Sequence, residues 1–231
     1  MIVDGINIEV LKKNIKNIHL GVYPPDGRVR VAAPLYTTDE NIRLLIISKL
    51  KWIKDQREKF LSQERQSKRE YVSGESFYLW GRQYLLRVIE TNGQSKVKIE
   101  NNKQINLYVK KSLTVMDKEK IMNNWYRKEL KKKLPDIIKK YENIINVPVN
   151  DYGIRIMKTK WGSCNTRLGK IWINLQLVKR PVNCLEYVVA HEIIHLIEKN
   201  HNDNFKELIN KYYPNWKSAK EELNKFILEA F

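Results

Sequence analysis

The chain has 231 residues, 42% of them hydrophobic and 30% charged, with a formal net charge of +17. That balance reads as one large or two small soluble domains with a true core, and no apolar run approaches the ~18 residues of a membrane-spanning helix. Two cysteines, Cys164 and Cys184, make neither a disulfide framework nor a zinc-ligand pair by spacing. Met1-Ile2-Val3-Asp4-Gly5 lacks a charged-then-apolar leader pattern, so the expected location is the cytoplasm. The positive charge favours polyanionic partners such as nucleic acid or nucleotides; it is also what lysine-decorated solvated faces give.

In chain order, alternating apolar stretches such as Ile6 to Val10 and Val29 to Val31 predict strands, with Pro24-Pro25-Asp26-Gly27 as a hairpin turn. Thr38 to about Leu61 predicts a helix, with Ile42, Leu45, Ile46, Ile53 and Phe60 at helical spacing. Its charged tail, Lys54 to Glu70, reads as a solvated end or linker. Strands return from Tyr71 to Val109, with one hairpin turning near Gly81 and another around Asn101-Asn102-Lys103. Phe77, Tyr78, Trp80 and Tyr84 are read as packing residues rather than base-stacking platforms.

A long helix is expected from about Met116 to Asn146, bent at Pro135, with Lys131-Lys132-Lys133 and Lys139-Lys140 on solvated sides. Two strands follow, Ile154 to Cys164 and Gly169 to Leu175. A helix begins after Pro181-Val182-Asn183, another carries Phe205 to Tyr212, and a last one runs from Trp216 to Leu228. No internal repeat is visible. The expected fold is α+β: a β-rich N-terminal region with one helix at 1–112, then a core at 113–231 in which an antiparallel sheet packs on a buried helix.

That buried helix carries the chemistry. It reads Tyr187-Val188-Val189-Ala190-His191-Glu192-Ile193-Ile194-His195, a His-Glu-x-x-His motif on an element apolar nearly all round. At ~100° and ~1.5 Å per residue, His191 and His195 lie one turn apart and ~40° round the axis, so both imidazoles grip one ion from one face. Glu192, ~60° from His195, reaches a water on that ion without being a ligand. Buried polar groups of this kind need a partner, and a metal supplies it. In an unbroken helix His201 would point ~120° from His195 and lie ~9 Å further along. It becomes a third ligand only if the helix stops first, and polar Glu198-Lys199-Asn200 replaces the apolar run there. His-x3-His-x5-His is the metzincin spacing, with Glu198 where their turn glycine belongs.

Lys160-Trp161-Gly162-Ser163-Cys164, a strand ending in Asn174, the helix from Tyr187 to Leu196, and Asn200-His201-Asn202-Asp203-Asn204-Phe205 together resemble the YgjP-like metallopeptidase domain, a relative of the SprT-type zinc proteases. The N-terminal strands and the Tyr84 hairpin resemble the family more loosely. The resemblance implies a zincin-like core at 113–231 and one Zn²⁺ on His191, His195 and His201, with Glu192 as general base. Members commonly place a serine where this chain has Asn202.

The expected function is therefore zinc-dependent hydrolysis of peptide bonds, with a peptide or unfolded protein as substrate. Trp161, Gly162, Ser163 and Lys160 are expected to align it, and Tyr212 or Tyr213 to assist the oxyanion. The alternative is a nucleoside triphosphate pyrophosphatase using Lys158, Lys160 or Arg167 on the phosphates, although no Gly-rich phosphate loop is present. A third reading is a basic nucleic-acid-binding module with a structural metal, which would normally need a fourth protein ligand.

Overall fold

The computed structural model describes residues 1–23, 26–62 and 69–225. Contacts divide the chain into two units, residues 1–67 and, apart from the extreme C-terminus, 68–229. In the first, β1 (Ile2–Val3), β2 (Ile6–Lys13), β3 (His19–Tyr23) and β4 (Arg28–Pro34) form one sheet in the order β1-β2-β4-β3, with β2 and β4 parallel. The alternation read from the sequence decides which face is buried. Ile6, Ile8, Val29, Val31 and Ala33 point to a core completed by Ile42, Ile46 and Ile53. The hairpin expected around residues 24–27 is present as the β3–β4 pair, although Pro24 and Pro25 lie outside the described residues.

The single helix expected after Thr38 is two: α1 (Asp39–Ser48) and α2 (Leu50–Ser62). Thr38 caps α1 by accepting from the Asn41 amide. The break falls at Lys49, whose φ of −108° and ψ of 9° leave helical geometry. Of the linker read at 54–70, residues 63–68 lie outside the described residues.

The second unit opens with β5 (Ser76–Leu79), β6 (Arg82–Glu90), β7 (Lys96–Glu100) and β8 (Gln104–Val109), in the order β5-β6-β8-β7 with β6 and β8 parallel. This repeats the plan of the first sheet strand for strand: tight hairpin, parallel inner pair, second hairpin, then a threonine-capped helix. That helix, α3 (Val115–Ile145), is closed at its start by a Thr114–Asp117 capping box and at its end by Asn146 at φ 60°. Pro135 is accommodated inside it. Phe77 and Tyr84, read as packing residues, are buried in the core beneath it.

β9 (Asp151–Arg155), β10 (Gly162–Asn165) and β11 (Lys170–Asn174) make a third sheet in the order β10-β11-β9. The single strand expected from Ile154 to Cys164 is two, β9 and β10; β10 pairs with β11 antiparallel as expected, but β9 pairs with β11 in parallel on its other side, so the sheet is mixed. A 3₁₀ turn at Leu175–Lys179 leads to α4 (Val182–Ile194), then α5 (Asp203–Tyr212) and α6 (Trp216–Asn224). One core runs from Phe77, Leu86 and Leu107 through Tyr126, Leu130 and Leu134 of α3 to Leu185, Val189 and Ile193 of α4. The division expected at 112/113 therefore falls inside the second unit, because α3 packs on both the β5–β8 sheet and α4. Among the described residues no helix is long and apolar enough to cross a membrane.

The β5–β6 hairpin fixes the start of α4. Its two turn residues, Trp80 and Gly81, both have positive φ (52° and 81°), as a type I′ turn requires. The Trp80 amide donates to the Val178 carbonyl at 2.8 Å, and a Cβ at Gly81 would lie 2.7 Å from Cγ of Pro181, the residue before α4. Gly81→Ala adds a left-handed alanine and an overpacked contact at once, so urea unfolding is expected to show a loss of about 2–4 kcal/mol. A loss below about 1 kcal/mol would mean that the tip and Pro181 move apart freely.

Candidate metal centre

α4 is held by its apolar residues: Cys184, Leu185, Val188, Val189, Ala190, Ile193 and Ile194 are all buried. It stops where the chemistry needs it to stop. His195 is its C-cap, and the next two amides bond only three residues back, Leu196 to Ile193 and Ile197 to Ile194. The Glu198 side chain then accepts from the Asn200 amide, and Asn202 caps α5 by accepting from the Phe205 amide. A serine at 202 makes the same cap, which explains in physical terms why asparagine replaces it here.

This turn brings His201 back beside the helix. His201 Nε2 lies 2.9 Å from His191 Nε2, and ligand atoms of His191, His195 and His201 all fall within 4.8 Å of one another. The His195 Nδ1–H donates to the Glu198 carbonyl at 3.0 Å, which leaves Nε2 with its lone pair free. Burial, reinforced by the charges of the other two histidines, pushes His191 down to about 3; burial also lowers His201. Both are therefore neutral, the form that binds metal. Three converging imidazole nitrogens are the donor set of a divalent transition ion. Among the described residues no fourth His, Cys, Asp or Glu joins the group.

Phe205 forms an apolar floor, its ring 4.7–4.8 Å from each imidazole. Glu192 is 5% exposed, and with no metal bound burial pushes its carboxyl up to about 8 against the opposing pull of Lys160; a cation on the histidines would favour its ionised form. Gly162 of β10 makes the space for it: a Cβ there would lie 2.5 Å from Glu192 Oε1. Burial also raises Cys164 to about 11 and Cys184 to about 12, so both thiols stay protonated at neutral pH.

A cleft of about 590 Å³ opens over the three histidines, walled by residues 160–164, α4 and α6. Of the residues expected to align a substrate, Lys160, Trp161, Gly162 and Ser163 line it. Tyr212 is not among the lining residues; it packs half-buried against the core. Tyr213 is buried with its hydroxyl donated to the Asn183 carbonyl at 2.9 Å. The tyrosine that does line the cleft is Tyr187, one turn before His191 on the same helix face, a position legible from i, i+4 spacing alone. Lys220, from α6, carries no such signal in the sequence.

Buried Asn174 holds the wall. Its Nδ2 donates to the carbonyls of Met157 (2.8 Å) and Lys160 (2.7 Å), and its own amide donates to the Trp161 carbonyl at 2.9 Å. The segment leading into β10 is thereby pinned to β11.

No curated protein matches this chain. The crystal structure of the metallopeptidase zymogen of Pyrococcus abyssi abylysin is similar at 21% identity over 38% of this chain and 85% of that one, with a TM-score of 0.34, too low a likeness to bear on the assignment. A family model described as YgjP-like, metallopeptidase domain, matches residues 16–226. With a match that spans both units, the chain belongs to the YgjP-like metallopeptidase family.

Proposed function

We propose that this YgjP-like protein hydrolyses peptide bonds with one zinc ion held by His191, His195 and His201 and with Glu192 as general base. The observation that carries this reading is the convergence of three imidazole nitrogens within 4.8 Å, beside a buried carboxylate on the same helix. A zinc ion there would supply Lewis acidity for a scissile carbonyl and for water near neutral pH.

The remaining work falls to the chain's own groups. A Glu192 carboxylate oxygen takes the proton of the attacking water and returns it to the departing amine nitrogen. β10 is an outer strand of its sheet, so its unpaired edge offers main-chain donors and acceptors to an extended substrate. Gly162 lets that edge approach Glu192 closely, and Asn174 keeps the preceding segment in place.

Mass spectrometry of products tests the reading. Zinc-loaded protein is expected to release peptides from an unfolded protein, to stop on chelation, and to resume when zinc is returned. Offered nucleoside triphosphates, it is expected to release neither pyrophosphate nor monophosphate. Nucleotide products in the absence of peptide products would overturn the peptidase assignment.

A further inference from the structure

We propose that the cleft selects acidic peptide segments, with Lys160, Lys199 and Lys220 forming a cationic rim that receives carboxylate side chains flanking the scissile bond. This rests on the peptidase reading and names its substrate class. The cleft is lined by these three lysines and by a single carboxylate, that of Glu192. Glu192 is buried and committed to proton transfer, so the surface offered to a substrate's side chains is positive.

The lysines come from three separate elements: Lys160 from the segment pinned by Asn174, Lys199 from the turn between α4 and α5, and Lys220 from α6. They therefore stand on different walls rather than along one helix. The Lys160 charge acts on Glu192, and the Lys220 charge acts on His191 and His201, which puts both within electrostatic reach of the reacting centre. All three are exposed, and among the described residues none is ion-paired with a carboxylate. Elsewhere lysines do find partners: Lys132 with Glu129, Lys140 with Glu186, Lys206 with Asp203. Like charges gathered around a cleft with low-dielectric walls focus the field and raise the local concentration of an anionic segment.

The competing explanation is the overall +17 charge, which attracts any acidic peptide to any part of the surface. Two double variants separate the cases. Lys160→Gln/Lys220→Gln removes two of the three rim lysines, whereas Lys128→Gln/Lys131→Gln removes the same charge from exposed positions on α3, outside the cleft.

Zinc-loaded protein would be given three fluorogenic peptides differing only in whether Glu, Gln or Lys flanks the cleaved bond. The same peptides would be titrated into zinc-loaded Glu192→Gln protein to read affinity without turnover. The Glu-flanked peptide is expected to be the best substrate. Removing these charges is expected to lower the ratio of its kcat/KM to that of the Gln-flanked peptide by roughly two- to fivefold per lysine. The α3 variant is expected to keep the full preference. Equal use of the three peptides, or equal loss in both double variants, would overturn the rim while leaving the peptidase reading intact. Rim-dependent binding of the Glu-flanked peptide with no cleavage of any peptide would do the reverse. Displacement of that peptide by a nucleoside triphosphate that is itself hydrolysed would overturn both.

Discussion

Zinc-loaded Glu192→Gln protein is expected to keep its metal and to lose peptide hydrolysis by about 10²- to 10⁴-fold in kcat. Glutamine preserves the volume that faces Gly162 and Val188 and leaves the three histidines untouched; it removes only the proton acceptor. Stability adds a second readout. Burial holds the Glu192 carboxyl at about 8 in the protein stripped of zinc, against an ordinary value of 4.5. Between those values the unfolded chain has released its proton and the folded chain has not, so this group's contribution to stability is lost as pH rises. His191 acts in the opposite sense: lowered from 6.5 to about 3, it makes stability rise with pH, but only up to its unfolded value. From pH 6.5 to 8 Glu192 therefore acts without that opposition. Chelator-treated Glu192→Gln should gain on the parent protein across that interval, with a total effect on the order of a few kcal/mol. Urea unfolding at several pH values checks this, and a difference that stays flat with pH would refute the buried, protonated carboxyl. Retention of kcat within tenfold would remove Glu192 from the chemistry.

Gly162→Ala is expected to cripple the enzyme without replacing a titratable group. Its φ is not left-handed, so the effect is purely steric. The added Cβ would stand 2.5 Å from Oε1 and 2.8 Å from Cγ of Glu192, and 2.8 Å from Cγ1 of Val188, which is itself buried. Either the carboxylate swings away or β10 lifts off α4. A displacement near 1 Å at a reacting group costs about 10²-fold in rate, and the overpacking about 1–3 kcal/mol in stability. The measurements are kcat, zinc stoichiometry and urea unfolding of the purified variant. Full activity with one bound zinc would mean that Gly162 does not set the position of Glu192.

How much of this was readable beforehand depended on whether a feature is local. The two histidines and Glu192 follow from helical pitch, and the helix stop before His201 follows from the polar residues that replace its apolar run. Other features arise from packing between distant segments and leave no local mark. Phe205 becomes the floor of the histidine cluster only because α5 folds back, and Lys220 reaches the cleft only because α6 lies against α4. The break at Lys49 was hidden because Ile42, Ile46 and Ile53 keep a helical period across it. The parallel partnership of β9 with β11 was hidden because strand periodicity carries no direction. Tyr212 and Tyr213, expected to assist the oxyanion, pack into the core, whereas Tyr187 lines the cleft four residues before His191.

The duplicated sheet plan has a consequence for how sequence change is tolerated. Both copies turn their opening hairpin on two residues at positive φ, Asp4-Gly5 in one and Trp80-Gly81 in the other. A side chain grown on Gly5 would meet nothing within 4 Å, whereas one grown on Gly81 would strike Pro181. One architectural joint thus carries two levels of constraint: the first answers only to its own backbone, while the second answers as well to the helix that bears the histidines. Substitutions can accumulate at the first tip without reaching the chemistry, and the same change at the second is transmitted to it.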